Sequence, residues 1–296
     1  MFLCGTISHN MLVFPARDLG FSELDGIVVL DAFCGCGGNA IAFGKLPPDK
    51  ISFVVCVDID RSKLRKAAYN ASLYDIPNHK LIFIECNTLF ILGHCYKDGA
   101  LELDKLGVND ERVPNMPSPV VTEVYAGYNI GGLDLLPPRI DCVFMDPPWG
   151  GVEYNQLKNG YDLERHMKIR VGPVHRLERP TKAPEPAAAG ELCDDFFDSF
   201  GGSHPSKSKK AEFNETPADG EYVNGADLVK MAAGATRSHL VVYDLPRNTN
   251  KTSLGHSALA AGYRGNLKLD EHYLNGRLKT VTAYMGADYC SLLNGS

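Results

Sequence analysis

The sequence predicts an α/β fold in which a mostly parallel sheet is closed by an antiparallel hairpin at its C-terminal end. Apolar runs of strand length recur along the chain with helical segments between them, which is the pattern of parallel βαβ units. Near the end, Asn275-Gly276 separates two strand-like runs, Leu267 to Leu274 and Arg277 to Met285. Asn-Gly between two such runs is the strongest short-range signal for a hairpin.

The composition of the 296 residues is that of an ordinary globular domain, with 44% hydrophobic and 22% charged residues. The net charge of −6 argues against a protein that holds a long stretch of nucleic acid backbone, because such binding needs many lysines and arginines. A single nucleotide, or one end of an RNA, is compatible with it. We predict one domain over residues 1–296, with irregular insertions at 93–138 and 171–220, where Pro, Gly and charged residues replace the periodic pattern.

The nine cysteines contain no Cys-x-x-Cys pair, so neither a zinc site nor a disulfide framework is predicted. We therefore expect no metal, and a reducing compartment such as the nucleus or the cytoplasm. The opening Met1 to Phe14 lacks the basic start and long apolar core of a signal peptide. No apolar run reaches membrane-spanning length, so no membrane partner is expected.

The first predicted strand, Ile27 to Asp31, runs into a glycine-rich loop, Asp31-Ala32-Phe33-Cys34-Gly35-Cys36-Gly37-Gly38-Asn39, and a helix is predicted from Asn39 to Lys45. Glycines let the backbone approach a ligand that a Cβ would exclude. A second strand, Ser52 to Val57, ends at Asp58-Ile59-Asp60. An acid at this position, about 20 residues past the glycines, is the usual acceptor for ribose hydroxyls in nucleotide-binding βαβ units.

The apolar run Ile140 to Met145 leads into Asp146-Pro147-Pro148-Trp149-Gly150-Gly151, which predicts a buried strand whose carboxyl end meets a ligand crevice. The prolines cannot donate backbone hydrogen bonds, so they form a stiff turn with free carbonyl acceptors. An acid, a proline carbonyl and an aromatic ring suit recognition of a nucleobase, because the ring can stack on the base while the acceptors hold its exocyclic amine. The alternative is a structural turn beside a core tryptophan.

The remaining predicted elements lie on both sides of the second insertion. They are a basic helix at Arg61 to Tyr74, a third strand at Leu81 to Glu85, a loop and helix at Tyr154 to His166, a helix at Ala226 to Ala235, and a strand at Leu240 to Asp244 that precedes Leu245-Pro246-Arg247-Asn248.

Together, these motifs resemble the trimethylguanosine synthase family. The resemblance rests on the glycine-rich loop, Val57-Asp58-Ile59-Asp60, Pro147-Pro148-Trp149-Gly150-Gly151, Leu245-Pro246-Arg247-Asn248 and Leu278-Lys279-Thr280-Val281-Thr282-Ala283-Tyr284, and it covers roughly residues 25–92, 140–161 and 227–286. It implies a Rossmann-like class I methyltransferase that uses S-adenosylmethionine to methylate the guanine N2 of 7-methylguanosine RNA caps. Its partner would be the cap end of the RNA only, and no protein partner is predicted.

Site residues follow from the resemblance as expectations. Cofactor-binding residues would be Asp31, Phe33, Gly35, Gly37, Asn39, Asp58, Ile59, Asn87 near the adenine, and Asp146. Substrate-binding residues would be Trp149, Tyr154, Arg247, Asn248 and Lys279, and the catalytic residues would be Asp146, Pro147 and Trp149. Stacking of Trp149 on 7-methylguanine has an independent physical reason, since that base is cationic and an indole face attracts cations. Arginine suits the cap phosphates because its planar fork binds two oxygens at once.

Two departures from the family leave alternatives open. The family usually has Ser rather than Asp before Pro147, and Asp146 also matches the DPPW motif of adenine-N6 and related nucleobase amino-methyltransferases, which is the alternative function. Only residues 1–30 precede Asp31, fewer than in the extension that helps to close the family's cap site. Whether one or two methyl groups are added is therefore open.

Overall fold

The structure is a computed structural model that describes residues 26–102, 120–150, 152–157, 159–171, 221–237 and 239–287, all within one compact unit. Its strands are β1 (Ile27–Asp31), β2 (Ile51–Asp58), β3 (Leu81–Glu85), β4 (Tyr96–Lys97), β5 (Ala100–Leu101), β6 (Glu123–Tyr125), β7 (Tyr128–Gly131), β8 (Cys142–Met145), β9 (Ile169–Arg170), β10 (Tyr222–Val223), β11 (Leu240–Pro246), β12 (Leu267–Leu274) and β13 (Arg277–Met285). Its helices are α1 (Gly38–Gly44), α2 (Arg61–Leu73), α3 (Thr88–Phe90), α4 (Leu163–His166), α5 (Gly225–Ala235) and α6 (Lys251–Ala260), with a π-helical turn at Ile91–Cys95 and 3₁₀ turns at Asn78–Lys80, Leu133–Leu135 and Val152–Gln156.

Nine strands form the central sheet in the order β12-β13-β11-β8-β1-β2-β3-β7-β6. The central strands are parallel, whereas β13 runs antiparallel to both β11 and β12. The predicted fold class is therefore confirmed. The strand order reverses between β1 and β8, and in open α/β sheets ligands bind outside the carboxyl ends of the strands at such a point.

Both faces of the sheet are covered by helices. Alternate residues of a strand point to opposite faces, so Val29 and Phe144 pack with α1 and α2 on one face. Leu30 and Val143 pack with α5 and α6 on the other. Because the strands are buried on both sides, their sequences are continuous apolar runs rather than alternating ones.

The predicted C-terminal hairpin is confirmed with the strand bounds that the sequence indicates. Asn275 and Gly276 have φ angles of 52° and 71°, which is the pair of left-handed conformations that a type I′ turn requires. Helix α6 was not predicted. It begins after Asn250, whose side chain accepts hydrogen bonds from the N–H groups of Thr252 and Ser253, but its apolar residues lack the periodicity that would indicate a helix.

The prediction of an irregular insertion over 93–138 is wrong in part. Strands β6 and β7 lie within it and extend the main sheet beyond β3. In β7, Tyr128 and Ile130 are buried and Asn129 between them is exposed. The strand has only four residues, too few for this alternation to stand out in the sequence.

The other expected insertion, 171–220, lies outside the described residues except for Val171. Strands β9 and β10, on either side of it, pair antiparallel, with Ile169 opposite Val223. Among the described helices, none combines the length and the apolar character that crossing a bilayer requires.

Candidate active site

The candidate site lies where the loops after β1 and β8 meet, at the reversal of the strand order. The glycine-rich loop follows β1, and the Asp146-Pro147-Pro148-Trp149 loop follows β8. Asp31 is paired with Phe144, so the two loops leave the sheet side by side. Asn39, in the first turn of α1, donates a hydrogen bond of 3.5 Å from Nδ2 to the Asp146 carboxylate and joins the two loops.

Two glycines shape the first loop in different ways. Gly37 has a φ of 88°, and a Cβ there would lie 2.9 Å from the Cβ of Ala67 on α2, so this glycine is needed for packing. Gly35 has a φ of 54°, but a Cβ on it would meet no atom within 4 Å. The N–H of Gly35 donates to Asp58 at 3.1 Å. The loop thus holds open space above Gly35 while its backbone is anchored to β2.

The predicted nucleoside-binding residues line the neighbouring strand ends. Asp58 also accepts from the N–H of Asp60 at 2.8 Å, and Ile59 is 50% exposed, as a side chain that packs on a ligand must be before the ligand arrives. Asn87 accepts from the N–H of Leu89 at 2.9 Å and donates to the carbonyl of Arg170 at 3.2 Å. Asn87 therefore caps α3 and holds β9, so any contact with adenine would be made by a side chain that already has a structural role.

Asp31 is an unusual carboxyl group. It is fully buried, and neither of its oxygens makes a hydrogen bond of ordinary geometry, although two backbone N–H groups lie near it. Burial raises its pKa to about 8, helped by the negative charges of Asp146 and Asp58 and opposed by the N–H groups of Phe33 and Ala40. Phe33 is partly buried and packs against the core.

Asp146 is the carboxyl group at the end of β8. Part of it is accessible to solvent, yet its surroundings are protein, and burial raises its pKa to about 6 while the Asn39 side chain lowers it. It therefore titrates just below neutral pH. Pro147, which follows it, is buried, whereas Pro148 is exposed.

A third acid, Asp244, stands beside Asp146, because Tyr243 of β11 is paired with Met145 of β8. Burial raises its pKa well above the ordinary value, and the negative charge of Asp146 is the next cause. Sequence analysis did not single it out. The signal was present, since β1, β8 and β11 are each an apolar run that meets an acid at its carboxyl end.

Trp149 is half-buried and belongs to a row of aromatic rings. Its ring meets that of Tyr154 edge-on at 5.7 Å, and Tyr154 meets Tyr161 edge-on at 6.4 Å. The Trp149 Nε1 atom and the Tyr161 hydroxyl are both buried without a hydrogen-bond partner. The ring packs against the core but is not enclosed by it, so the alternative of a wholly internal tryptophan is not what the structure has. Tyr161 was not predicted as a site residue.

The loop after β11 brings its predicted residues to the same edge. Asn248 donates from Nδ2 to the carbonyl of Tyr154 at 2.6 Å, while its Oδ1 is buried without a partner. Arg247 is exposed. Arg247 follows Pro246, which is paired with Thr280, and Lys279 precedes Thr280 on β13, so both cations lie next to the last paired position of these strands.

The residues of this edge suit S-adenosylmethionine. The open space above Gly35 can serve as a cradle. The carboxylate of Asp58, at a strand end, can accept hydrogen bonds from hydroxyl groups, and the exposed Ile59 offers an apolar surface. The carboxyl of Asp31, with a pKa of about 8, is neutral before a donor binds, and a cationic donor nearby would favour its ionisation.

Comparison with known proteins identifies the family. The family model for RNA cap guanine-N2 methyltransferases matches residues 26–175. Trimethylguanosine synthase of Schizosaccharomyces pombe is 39% identical over 176 residues, 56% of this chain and 56% of that protein. The Saccharomyces cerevisiae enzyme of the same name is 30% identical over 141 residues, 47% of this chain and 30% of that protein. The chain thus spans about half or less of the length of these relatives.

Solved structures resemble the chain only distantly. The structure of M. jannaschii TYW2 in complex with AdoMet has a TM-score of 0.38 and 11% identity, and the match covers 95% of this chain and 74% of that one. The fold therefore rests on the strand order described above. Because the family model covers half of the sequence, the chain belongs to the RNA cap guanine-N2 methyltransferase family.

Proposed function

We propose that this chain transfers a methyl group from S-adenosylmethionine to the exocyclic N2 of 7-methylguanosine at the cap end of RNA. The observation that carries the proposal is the juxtaposition of Asp146 and the half-buried ring of Trp149 in one stiff loop, beside the glycine cradle. An acceptor for an amine and a surface for a base are thereby placed where a methyl donor would reach them.

The bound donor supplies a methyl group on a sulfonium centre. Gly35 and its neighbours would hold it from below, Asp58 would accept its ribose hydroxyls, and Ile59 would pack on its adenine. Asn39 fixes the side chain of Asp146 between this cradle and the substrate loop. The contribution of these residues is positional, because aligning the reacting atoms can account for much of a methyltransferase's acceleration.

Substrate binding is supported by a cluster of unmet hydrogen bonds. Buried polar atoms without partners are few in native proteins, yet Trp149 Nε1, Tyr161 OH and Asn248 Oδ1 are all in this condition. All three residues contact Tyr154: the rings of Trp149 and Tyr161 meet its ring, and Asn248 donates to its carbonyl. A nucleotide with its own donors and acceptors would satisfy them.

The charge of the substrate explains the choice of side chains. The 7-methylguanine ring is cationic, which favours stacking on Trp149. If the exocyclic amine were methylated before it lost a proton, the base would carry a second positive charge. Asp146, with a pKa of about 6, is ionised at neutral pH and can accept that proton, while the Pro147 carbonyl can hold the second amine hydrogen.

Phosphate binding would come from Arg247, in the turn after β11, and Lys279 of β13. Arg247 is exposed, and both residues adjoin the pair Pro246–Thr280, where the two strands stop pairing. Tyr154 would contribute at the same edge. Since only the cap end would be bound, the net charge of −6 is no obstacle. We further propose that the protein acts where capped RNA is found, in the nucleus or the cytoplasm.

A methyl-transfer assay tests the proposal. The purified chain would be incubated with radiolabelled donor and one acceptor in each reaction: m7GDP, GDP or an adenine-containing oligonucleotide. The masses of the products would be measured by mass spectrometry. We expect transfer to m7GDP only, and the product mass gives the number of methyl groups. Transfer to adenine would favour the amino-methyltransferase alternative, and equal transfer to GDP would rule out recognition of the N7 methyl group.

A further inference from the structure

A buried polar chain leads away from the site across the face of the sheet. Asp244 of β11 is paired with Thr282 of β13, and His272 of β12 is paired with Thr280, two residues along β13. Asp244, Thr282 and His272 are all buried, at 6%, 0% and 7% exposure. They cross three neighbouring strands of the antiparallel part of the sheet.

Hydrogen bonds make this chain continuous. The Thr282 hydroxyl donates to Asp244 Oδ1 at 2.8 Å, and His272 Nε2 lies 2.7 Å from the same hydroxyl. A hydroxyl can donate one hydrogen bond while it accepts another, and it can rotate to reverse the two roles. Thr282 can therefore pass a proton between a carboxyl on one side and an imidazole on the other.

The inner end of the chain adjoins Asp146. Tyr243 and Met145 are paired, so Asp244 and Asp146 follow at the carboxyl ends of adjacent strands. The charge of Asp146 is among the causes that raise the pKa of Asp244, while the hydroxyls of Thr282 and Thr280 lower it. The two carboxyls thus interact electrostatically, and ionisation of one favours the protonated form of the other.

We propose that Asp244, Thr282 and His272 form a proton route that takes up the proton which Asp146 receives from the guanine amine. The route rests on the proposed function. In the reaction, the bond from N2 to the methyl carbon forms, the bond from sulfur to that carbon breaks with its electron pair remaining on sulfur, and N2 gives one proton to the Asp146 carboxylate. The proton then passes to Asp244 and through the Thr282 hydroxyl to His272 Nε2, the Nδ1–H on the other side of the ring releases a proton to solvent at the edge strand, and Asp146 is ionised again.

The outer end of the route can receive a proton. Burial lowers the pKa of His272, and the neighbouring Asp270 raises it in part, so the imidazole is neutral at neutral pH and its Nε2 can accept. His272 lies on β12, the edge strand of the sheet. A proton on its ring is thus about three strand spacings, roughly 14 Å, from the amine that lost it.

A matched pair of substitutions tests the route. Thr282→Val keeps the shape of the side chain and removes the hydroxyl, whereas Thr282→Ser keeps the hydroxyl and removes a methyl group. We expect Thr282→Val to lower kcat for m7GDP about tenfold, less than the loss of all acid–base catalysis, because Asp146 still takes the first proton. Thr282→Ser should keep kcat near the wild-type value. KM, and the Kd values for m7GDP and S-adenosylmethionine from calorimetry, should change in neither variant.

Further variants guard against an effect of folding. Asp244→Asn should lower kcat as Thr282→Val does, again without a change in KM, and His272→Gln, which cannot carry the proton onward, should do the same. Thr236→Val is the control, since Thr236 is also fully buried but lies at the end of α5, and its kcat should be unchanged. Thermal melting would be recorded for each protein.

The outcomes separate the route from the function. If the wild-type protein methylates m7GDP and Thr282→Val has the same kcat, the route is wrong and the proposed function stands. The same conclusion follows if Thr282→Ser is slower than Thr282→Val, because activity would then depend on packing rather than on the hydroxyl. A wild-type protein that does not methylate m7GDP overturns the proposed function, and the route with it. If Asp244→Asn fails to fold, the Thr282 pair decides.

Discussion

Replacing Trp149 by alanine probes the substrate pocket most directly. Trp149 packs against the core but is only partly buried, with Tyr154 edge-on at 5.7 Å. Loss of stacking on a base costs about 1–3 kcal/mol, and a desolvated cation–π contact contributes about 2 kcal/mol. These two estimates describe the same ring contact, so we expect a loss of about 2–3 kcal/mol, which corresponds to a Kd for m7GDP that is roughly 30- to 150-fold weaker.

Isothermal titration with m7GDP, GDP and S-adenosylmethionine would measure the effect. The Kd for S-adenosylmethionine should stay within about twofold, because the donor would be held by the loop after β1, and a tenfold change needs about 1.4 kcal/mol. The preference for m7GDP over GDP should disappear along with the ring, while Trp149→Phe should keep part of it, since phenylalanine is a weaker cation–π partner than tryptophan. Tyr69→Ala, at an exposed aromatic residue of α2, is the control and should change none of the three constants.

A contribution of Trp149 to stability must be separated from binding. Full burial of a tryptophan would make the alanine variant 3–5 kcal/mol less stable, so a half-buried ring predicts about 2 kcal/mol. Urea unfolding would report this value. If both ligands lose affinity equally and the free energy of unfolding falls by the full amount, Trp149 is a core residue and the proposed stacking is wrong.

Three further predictions concern the rest of the site. Asp31→Asn should change how the free energy of unfolding depends on pH. The pKa of Asp31 is raised to about 8 in the folded protein, so the protonated side chain stabilises the fold fully below about pH 4. This stabilisation is lost as the pH rises to 8, by up to about 1.4 kcal/mol per pH unit. Urea unfolding from pH 5 to 9 should show that slope in the wild type and a flatter one in the variant; identical slopes would contradict the burial of an unpartnered carboxyl. Gly37→Ala should lower the free energy of unfolding by about 2 kcal/mol or more, because Gly37 has a left-handed conformation and a Cβ on it would collide with α2. Gly35→Ala should mainly weaken binding of S-adenosylmethionine. If Gly35→Ala instead lost more stability and Gly37→Ala more affinity, the proposed cradle would be wrong. Arg247→Ala and Lys279→Ala should each weaken binding of m7GDP about tenfold, as expected for a lost charge-assisted contact. Binding of the nucleoside 7-methylguanosine, which has no phosphate, should not change. An equal loss of affinity for the nucleoside would exclude phosphate as the group that these residues bind.

Sequence reasoning located the strands because they are buried on both faces and therefore appear as uninterrupted apolar runs. The position of Asp146 after such a run predicted that it lies at the carboxyl end of a strand, and in the structure it directly follows β8, which is parallel to β1 and β11. The same reasoning missed Asp244, although its run is equally clear, because an acid before Leu245-Pro246 carries no motif. The link from Asp244 to Thr282 was beyond prediction, since it depends on which strand of the hairpin pairs with β11, and that order is a property of the folded sheet.

Sequence patterns also could not tell a residue's structural role from its ligand role. Asn87 has a residue type and position that suit a nucleotide contact, yet its side chain is engaged by Leu89 and Arg170. Gly35 and Gly37 look equivalent in the sequence, but one faces open space and the other faces α2. In each case the distinction comes from neighbours that are distant along the chain.

The acids of this site are best explained by the charge of what the site would hold. A sulfonium donor and a 7-methylated base are both cations, and two unit charges 4 Å apart in a partly buried site repel each other by about 4 kcal/mol. Asp31, Asp146 and Asp244 stand at the carboxyl ends of three adjacent strands, and burial raises the pKa of all three. Before the ligands bind, Asp31 can remain protonated while Asp146 is ionised, so the empty pocket does not carry three buried negative charges. Each arriving cation favours ionisation of a nearby carboxyl, and the negative charge of the pocket then rises with the positive charge that it receives. Three neutral hydroxyls at the same positions could not adjust in this way, which gives a physical reason for an acid, rather than a serine, before Pro147.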